Sequence, residues 1–175
     1  KLVLITPPDA GYRADRNVII GNVAFYGATS GEAFINGIAG ERFCVRNSGV
    51  HAVVEGVGNH GCEYMTGGRV VILGDVGRNF GAGMSGGAAF ILPDNPETVA
   101  PNVNPAMVET GSIDEEDGPV LREMIETHAE VARSTKARCV LDDWENALER
   151  FVKVAPKSSP RSSRKHETAD SPSRE

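Results

Sequence analysis

Glycine recurs in the first half of this chain at a step of 18 or 19 residues, and that spacing limits what the chain can fold into. A glycine precedes each of four short apolar runs: Gly31, Gly49, Gly68 and Gly87, at steps of 18, 19 and 19. A second series, Gly37, Gly56 and Gly74, closes the first three runs at steps of 19 and 18. Seventeen of the 20 glycines lie between Gly21 and Gly87. Glycine inside a strand costs roughly 0.5–1 kcal/mol relative to alanine. Seventeen such placements would cost on the order of 10 kcal/mol, as much as a whole domain's stability. The glycines must therefore sit mostly at turns.

The segments TSGEAFING (29–37), NSGVHAVVEG (47–56), TGGRVVILG (66–74) and SGGAAFILP (85–93) align on those turns. Upstream of each turn lies a second stretch that reads as a strand: VAFY (23–26), RFCV (42–45), CEYM (62–65) and GAGM (81–84). One period is then strand, turn, strand and glycine corner, with no room for a helix. Such a period predicts a parallel β-helix of three-faced coils, in which equivalent strands stack on one another. The runs Ala33–Asn36, Val50–Val54, Val70–Leu73 and Ala88–Leu92 are expected to pair in parallel in that order. The seven glycines Gly31, Gly37, Gly49, Gly56, Gly68, Gly74 and Gly87 are read as structural corners. Lys1–Ile5 reads as one more strand of the stack, which suggests a piece of a longer protein with an exposed solenoid end.

The same segment contains a literal G-x-G-x-x-G, Gly56 to Gly61, followed by Asp75 at the distance of a ribose-binding acid. A dinucleotide site needs a helix whose N-terminus opens at the last glycine. After Gly61 come only Cys62–Thr66 before Gly67-Gly68, too few residues for one. Asp75 is therefore expected at the next corner, and a free-standing nucleotide-binding oxidoreductase is the disfavoured alternative.

Gly21 to Ile91, GNVAFYGATSGEAFINGIAGERFCVRNSGVHAVVEGVGNHGCEYMTGGRVVILGDVGRNFGAGMSGGAAFI, closely resembles the C-terminal glycine-repeat domain of the glutamate synthase large (alpha) subunit. The likeness extends over Lys1 to about Pro156. It implies a right-handed parallel β-helix that braces the amidotransferase domain and the FMN-binding synthase barrel. It also implies that FMN and an iron-sulfur cluster belong to the parent enzyme, bound by other domains and not by this chain. The implied setting is cytoplasmic glutamate biosynthesis and ammonia assimilation. A separately encoded glutamate-synthase-like subunit, or a domain like that in a formylmethanofuran dehydrogenase subunit, is the alternative.

The residues themselves suggest no catalytic, cofactor-binding or metal site. His60, Cys62 and Glu63 lie close together, but no second ligand pair has the spacing of a zinc site. His51 and Glu55 are expected on the outer face. No serine or cysteine is paired in sequence with a base and an orienting acid. Three cysteines without C-x-x-C spacing suggest reduced thiols. Stacking Gly49 on Gly68 sets Cys44 beside Glu63 and Cys62 beside Phe43, so these two thiols are expected on opposite faces, unbridged. A formal charge of -6 and the lack of a long apolar run argue against nucleic acid and membrane partners.

Residues 1–93 are thus expected to form the β-helix, 94–118 a linker and 119–154 a two-helix hairpin. Pro119 suits a first helical turn, and the apolar stripe Val120, Leu121, Met124, Ile125, His128, Val131, Ala132 marks the first helix. A second stripe runs through Ala137, Val140, Leu141, Trp144, Leu148 and Phe151. These faces could pack on the β-helix or contact another domain. Residues 155–175, rich in Ser, Pro and charge, are expected to be disordered.

Overall fold

The computed structural model describes residues 1–157. The chain is a stack of β-coils roofed on one face by helices. Five strands run in parallel through its main sheet: β1 (Leu2–Leu4), β3 (Glu32–Ile35), β5 (Ser48–Val54), β6 (Thr66–Ile72) and β7 (Gly86–Ile91). Their order in the sheet is their order in the chain, as the glycine repeat predicts. A shorter face pairs β2 (Val18–Ile20) with β4 (Ile38–Ala39) and continues through an Ala39–Val57 bridge.

The register explains why these runs are apolar without interruption. Ala33, Ala52, Val70 and Ala89 stack as one ladder; Ile35, Val54, Ile72 and Ile91 stack as another; both point into the coil. Between them Phe34, Val53, Val71 and Phe90 form a ladder pointing outward, into a second core under the helices. Side chains alternate along a strand, so a sheet covered on both faces must be apolar at every position. Each fully buried Val, Ile or Phe contributes about 1.5–3 kcal/mol.

The third face differs from the expectation. VAFY, RFCV, CEYM and GAGM are turns, not strands. Every second residue there has a positive φ: Val23, Phe25 and Gly27; Arg42, Cys44 and Arg46; His60, Cys62 and Tyr64; Asn79, Gly81 and Gly83. The turns stack through a repeated bond set: Val23 N–H to Glu41 O, Arg42 N–H to Asn59 O and His60 N–H to Arg78 O are each 2.8 Å. Bonds in the other direction link Cys44 N–H to Ala24 O and Cys62 N–H to Phe43 O. This pattern makes Cys44 the equivalent of Cys62, one residue away from the register expected for them. Both thiols are buried in the same interior cluster and unbridged, so the opposite-face argument is wrong.

Glycines permit the coils to close up. A Cβ on Gly49, Gly67 or Gly86 would fall nearer than atoms can approach to a carbonyl oxygen of the preceding coil (Thr29, Ser48 and Thr66 in turn). Gly68, at φ +85°, also occupies the left-handed region. Just before β5, the buried Asn47 side chain accepts from Gly49 and Val50 N–H and donates to Val50 O, so both ends of its amide are paired.

The segment expected as a linker and hairpin seals the stack at one end. A short helix α1 (Val99–Asn102) with its C-cap Val103, β8 (Val108–Gly111) and β9 (Val152–Pro156) supply Val99, Val103, Val108 and Val154 to the coil interior. β9 pairs antiparallel with both β7 and β8. It occupies residues expected to lie in the second helix and the start of the tail; the remainder of the tail lies outside the described residues. Between β8 and β9 run α2 (Asp117–Val131), α3 (Thr135–Asp142) and α4 (Trp144–Arg150). The expected second helix is broken at Asp143, whose φ and ψ of -127° and 48° are not helical. Leu121, Ile125, Ala129, Ala137, Val140, Trp144 and Phe151 cover the outward ladder. The helical stripes therefore pack on the chain's own sheet.

Candidate functional site: a buried carboxylate and its cleft

At the ends of β3 and β5 the repeat places Asn36 and Glu55 at equivalent corners, 19 positions apart. Both side chains reach the turn between α2 and α3. Asn36 Nδ2 donates to Ala132 O at 2.8 Å. Glu55 Oε1 accepts from Ser134 Oγ in a short bond and from His128 Nε2 at 3.3 Å. All three side chains are sealed: Glu55 is 2 % exposed, and His128 and Ser134 are fully buried. Glu55 thus lies on the outer side of the coil, but that side is roofed by helices.

Each member is fixed by its neighbours. Ser134 is the N-cap of α3, its Oγ accepting from Ala137 N–H at 3.0 Å while its own proton goes to Glu55. His128 lies on the last turn of α2, its ring stacked on Phe34 at 6.2 Å. The carboxylate makes Nε2 the ring's donor, and Nδ1 is sealed without a partner. A serine, a histidine and a carboxylate converge here, yet in the wrong order for nucleophilic catalysis. Both Ser134 and His128 bind the carboxylate, so the histidine does not stand between serine and acid to take the serine proton. The arrangement is a catch that holds the helices on the coil.

Beside the catch is a cleft of about 710 Å³ between the 5–16 loop and the start of α3, with Glu55 in its lining. Its basic residues are Arg13, Arg16, Arg133 and Lys136. Arg13 forms two bonds to Asp15 at 3.0 and 2.7 Å, while Arg16 and Lys136 share Asp94 at 3.3 and 3.0 Å. Sequence reasoning left this site unread. Its parts are 73 and 79 residues apart, and the one local signal is a glutamate ending an otherwise apolar run.

The other sequence candidates separate. His60 Nδ1 meets Glu63 Oε1 at 2.7 Å on the surface, whereas Cys62 points into the core. Burial pushes the Cys44 and Cys62 thiols far above their ordinary range. Among the described residues no three His, Cys, Asp or Glu side chains group as metal ligands. Two interior cysteines and an exposed Cys139 do not fit a cluster held by four thiolates. Gly56–Gly61 spans a corner and a turn with no helix after it, and Asp75 accepts from Asp94 and Asn95 N–H at 3.0 and 3.3 Å. His51 stands half-buried on the outer face between Glu32 and Arg69. Among the described residues no helix is long and apolar enough to cross a membrane.

Comparison with known proteins gives concordant matches. The chain is 54% identical over 159 residues to the NADPH glutamate synthase large chain of Bacillus subtilis (strain 168), covering 90% of this chain and 10% of that one. It is 52% identical over 158 residues to the NADH glutamate synthase of Schizosaccharomyces pombe, covering 90% and 7%. To the chloroplastic ferredoxin-dependent glutamate synthase of Spinacia oleracea it is 48% identical over 158 residues, covering 89% and 10%. The chain thus spans about a tenth of the length of these relatives. The family model of the GXGXG motif matches residues 1–157, and the chain belongs to that family.

Proposed function

We propose that this chain is a non-catalytic structural unit of a glutamate synthase. In this reading it braces the amidotransferase part against the FMN-binding synthase part in cytoplasmic glutamate biosynthesis and ammonia assimilation. FMN and the iron-sulfur cluster are held elsewhere in the enzyme, and the corner glycines Gly31, Gly37, Gly49, Gly56, Gly68, Gly74 and Gly87 serve the fold.

The observation that carries the reading is the asymmetry of the stack. One end is closed by α1, β8 and β9. At the other, β1 is an edge strand, and Val18, Val23 and Tyr26 are 62%, 46% and 53% exposed. In this reading that edge and those side chains are where the rest of the synthase packs. The relatives add support: their names carry three different electron donors, yet this region keeps 48–54% identity to each. A region indifferent to the donor fits a shared frame better than a redox site.

The test is to supply the isolated chain with glutamine, 2-oxoglutarate, FMN and a reductant. No glutamate formation and no flavin binding are expected. Turnover, or stoichiometric flavin uptake, would contradict the reading.

A further inference from the structure

The loop between β1 and β2 is fastened to the fold at its two ends. Thr6 Oγ1 donates to Asn36 O at 3.2 Å, and Asn17 O accepts from Ile38 N–H at 3.0 Å. Between these points every backbone hydrogen bond of residues 7–16 stays inside the loop: Ala10 N–H to Pro7 O, Arg16 N–H to Arg13 O and Asn17 N–H to Ala14 O. The Arg13–Asp15 ion pair is internal as well. Among the described residues, none from 5 to 17 belongs to either apolar cluster.

One polar link ties residues 7–16 to the rest of the described chain. Arg16 Nη1 donates to Asp94 Oδ2 at 3.3 Å, 78 residues along the sequence. Lys136 of α3 holds the other oxygen of Asp94, Oδ1, at 3.0 Å. Asp94 thus joins the loop to α3, the two sides of the 710 Å³ cleft. The Arg16 and Asp94 side chains are 59% and 35% exposed, and an ion pair so exposed is weak and screened by salt. The internal bonds make the loop a body of its own, and a segment with so few outside contacts opens more readily than the core.

We propose that residues 7–16 are a lid on this cleft, hinged at Thr6 and Asn17 and latched by Arg16 to Asp94. Closed, the lid forms one side of the cleft, with Arg133, Thr135, Lys136 and Cys139 on the other. Open, it bares Asn36 and the start of α3. Pro7 and Pro8 stiffen the arm beside the first hinge. Lys136 keeps its hold on Asp94 when Arg16 lets go, so the acceptor stays in place for reclosure. The lid is independent of the bracing role, because it rests on the loop's own attachments.

The experiment is pulsed electron spin resonance on the whole chain, with nitroxides at Asp9→Cys in the loop and Glu130→Cys on α2, in a Cys139→Ser background. Positions 9 and 130 are exposed and outside the cleft lining, and the buried Cys44 and Cys62 escape the label. At about 20 mM salt one dominant short distance is expected. Arg16→Met, which leaves the Lys136–Asp94 pair intact, should raise a longer-distance population about two- to fivefold, and so should about 500 mM salt. The salt arm keeps the native latch and decides the matter if Arg16→Met does not fold. The same distance distribution in all samples, or a broad one already present at low salt with Arg16 in place, would overturn the proposal.

Discussion

Ser134 holds two positions at once, as cap of α3 and as donor to a sealed carboxylate. Ser134→Ala loses the cap, about 0.5–2 kcal/mol, and takes one of two donors from a buried charge, about 1–3 kcal/mol more. We expect a total loss of about 2–4 kcal/mol in urea unfolding; a change under 0.5 kcal/mol would mean that the catch contributes nothing. The cysteines give a second check at this scale. Cys44 and Cys62 are buried with their thiols pushed up, so neither supplies a thiolate at neutral pH. Alkylation of the folded protein should label Cys139 alone, and all three after denaturation; rapid labelling of Cys44 or Cys62 would refute their interior placement.

Among the elements, the glycine column sets how closely coils stack. Gly86→Ala would drive a methyl group into Thr66 O of the coil below and should cost about 2 kcal/mol or more. Gly111→Ala in β8 meets nothing within 4 Å and should be neutral or mildly stabilising, by up to about 1 kcal/mol. Similar melting temperatures for the two variants would contradict the stacking. Lys153 of β9 is the other device at this scale, reaching Asp114 at 2.6 Å and Asp117 at the start of α2. Its hydrogen bond lowers the Asp114 pKa below its ordinary 3.8, and the same partners raise Lys153 above 10.5. A lowered carboxylate pKa contributes stability above the unfolded value and loses it as pH falls through the folded one. A raised lysine pKa contributes below the unfolded value and loses it as pH climbs through the folded one. The latch is therefore intact between those limits. Lys153→Met should flatten the loss of stability below pH 3.8; an unchanged acid limb would show that the latch is inert.

The strands were legible because short, uninterrupted apolar runs recur between glycines at fixed steps. The turn ladder was not, because its left-handed residues alternate with a strand's period of two while leaving the backbone turned. Val23, Cys44 and Tyr64 carry no mark of the left-handed region, where an L-residue costs roughly 1–2 kcal/mol. Stacking bonds and buried side chains such as Cys44 and Phe43 hold them there. β9 was misread because FVKV extends the helical stripe through Phe151 and also alternates as a strand. Val154 decides the matter by filling the end of the coil, a contact with no local signal.

At the scale of the whole molecule the two ends of the stack differ, and function is inferred from that difference. The sealed end has its own cap. The open end presents β1 and the apolar side chains of the first coil, so the isolated chain should self-associate as its concentration rises, which light scattering would register. The most direct measurement is hydrogen exchange by mass spectrometry, comparing this chain alone with the same residues inside a glutamate synthase large chain. The account predicts that residues 1–27 gain protection in the large chain while β6, β7 and α2 exchange alike in both. Equal exchange of residues 1–27 in the two settings would contradict a solenoid whose open end is the surface by which it braces its neighbours.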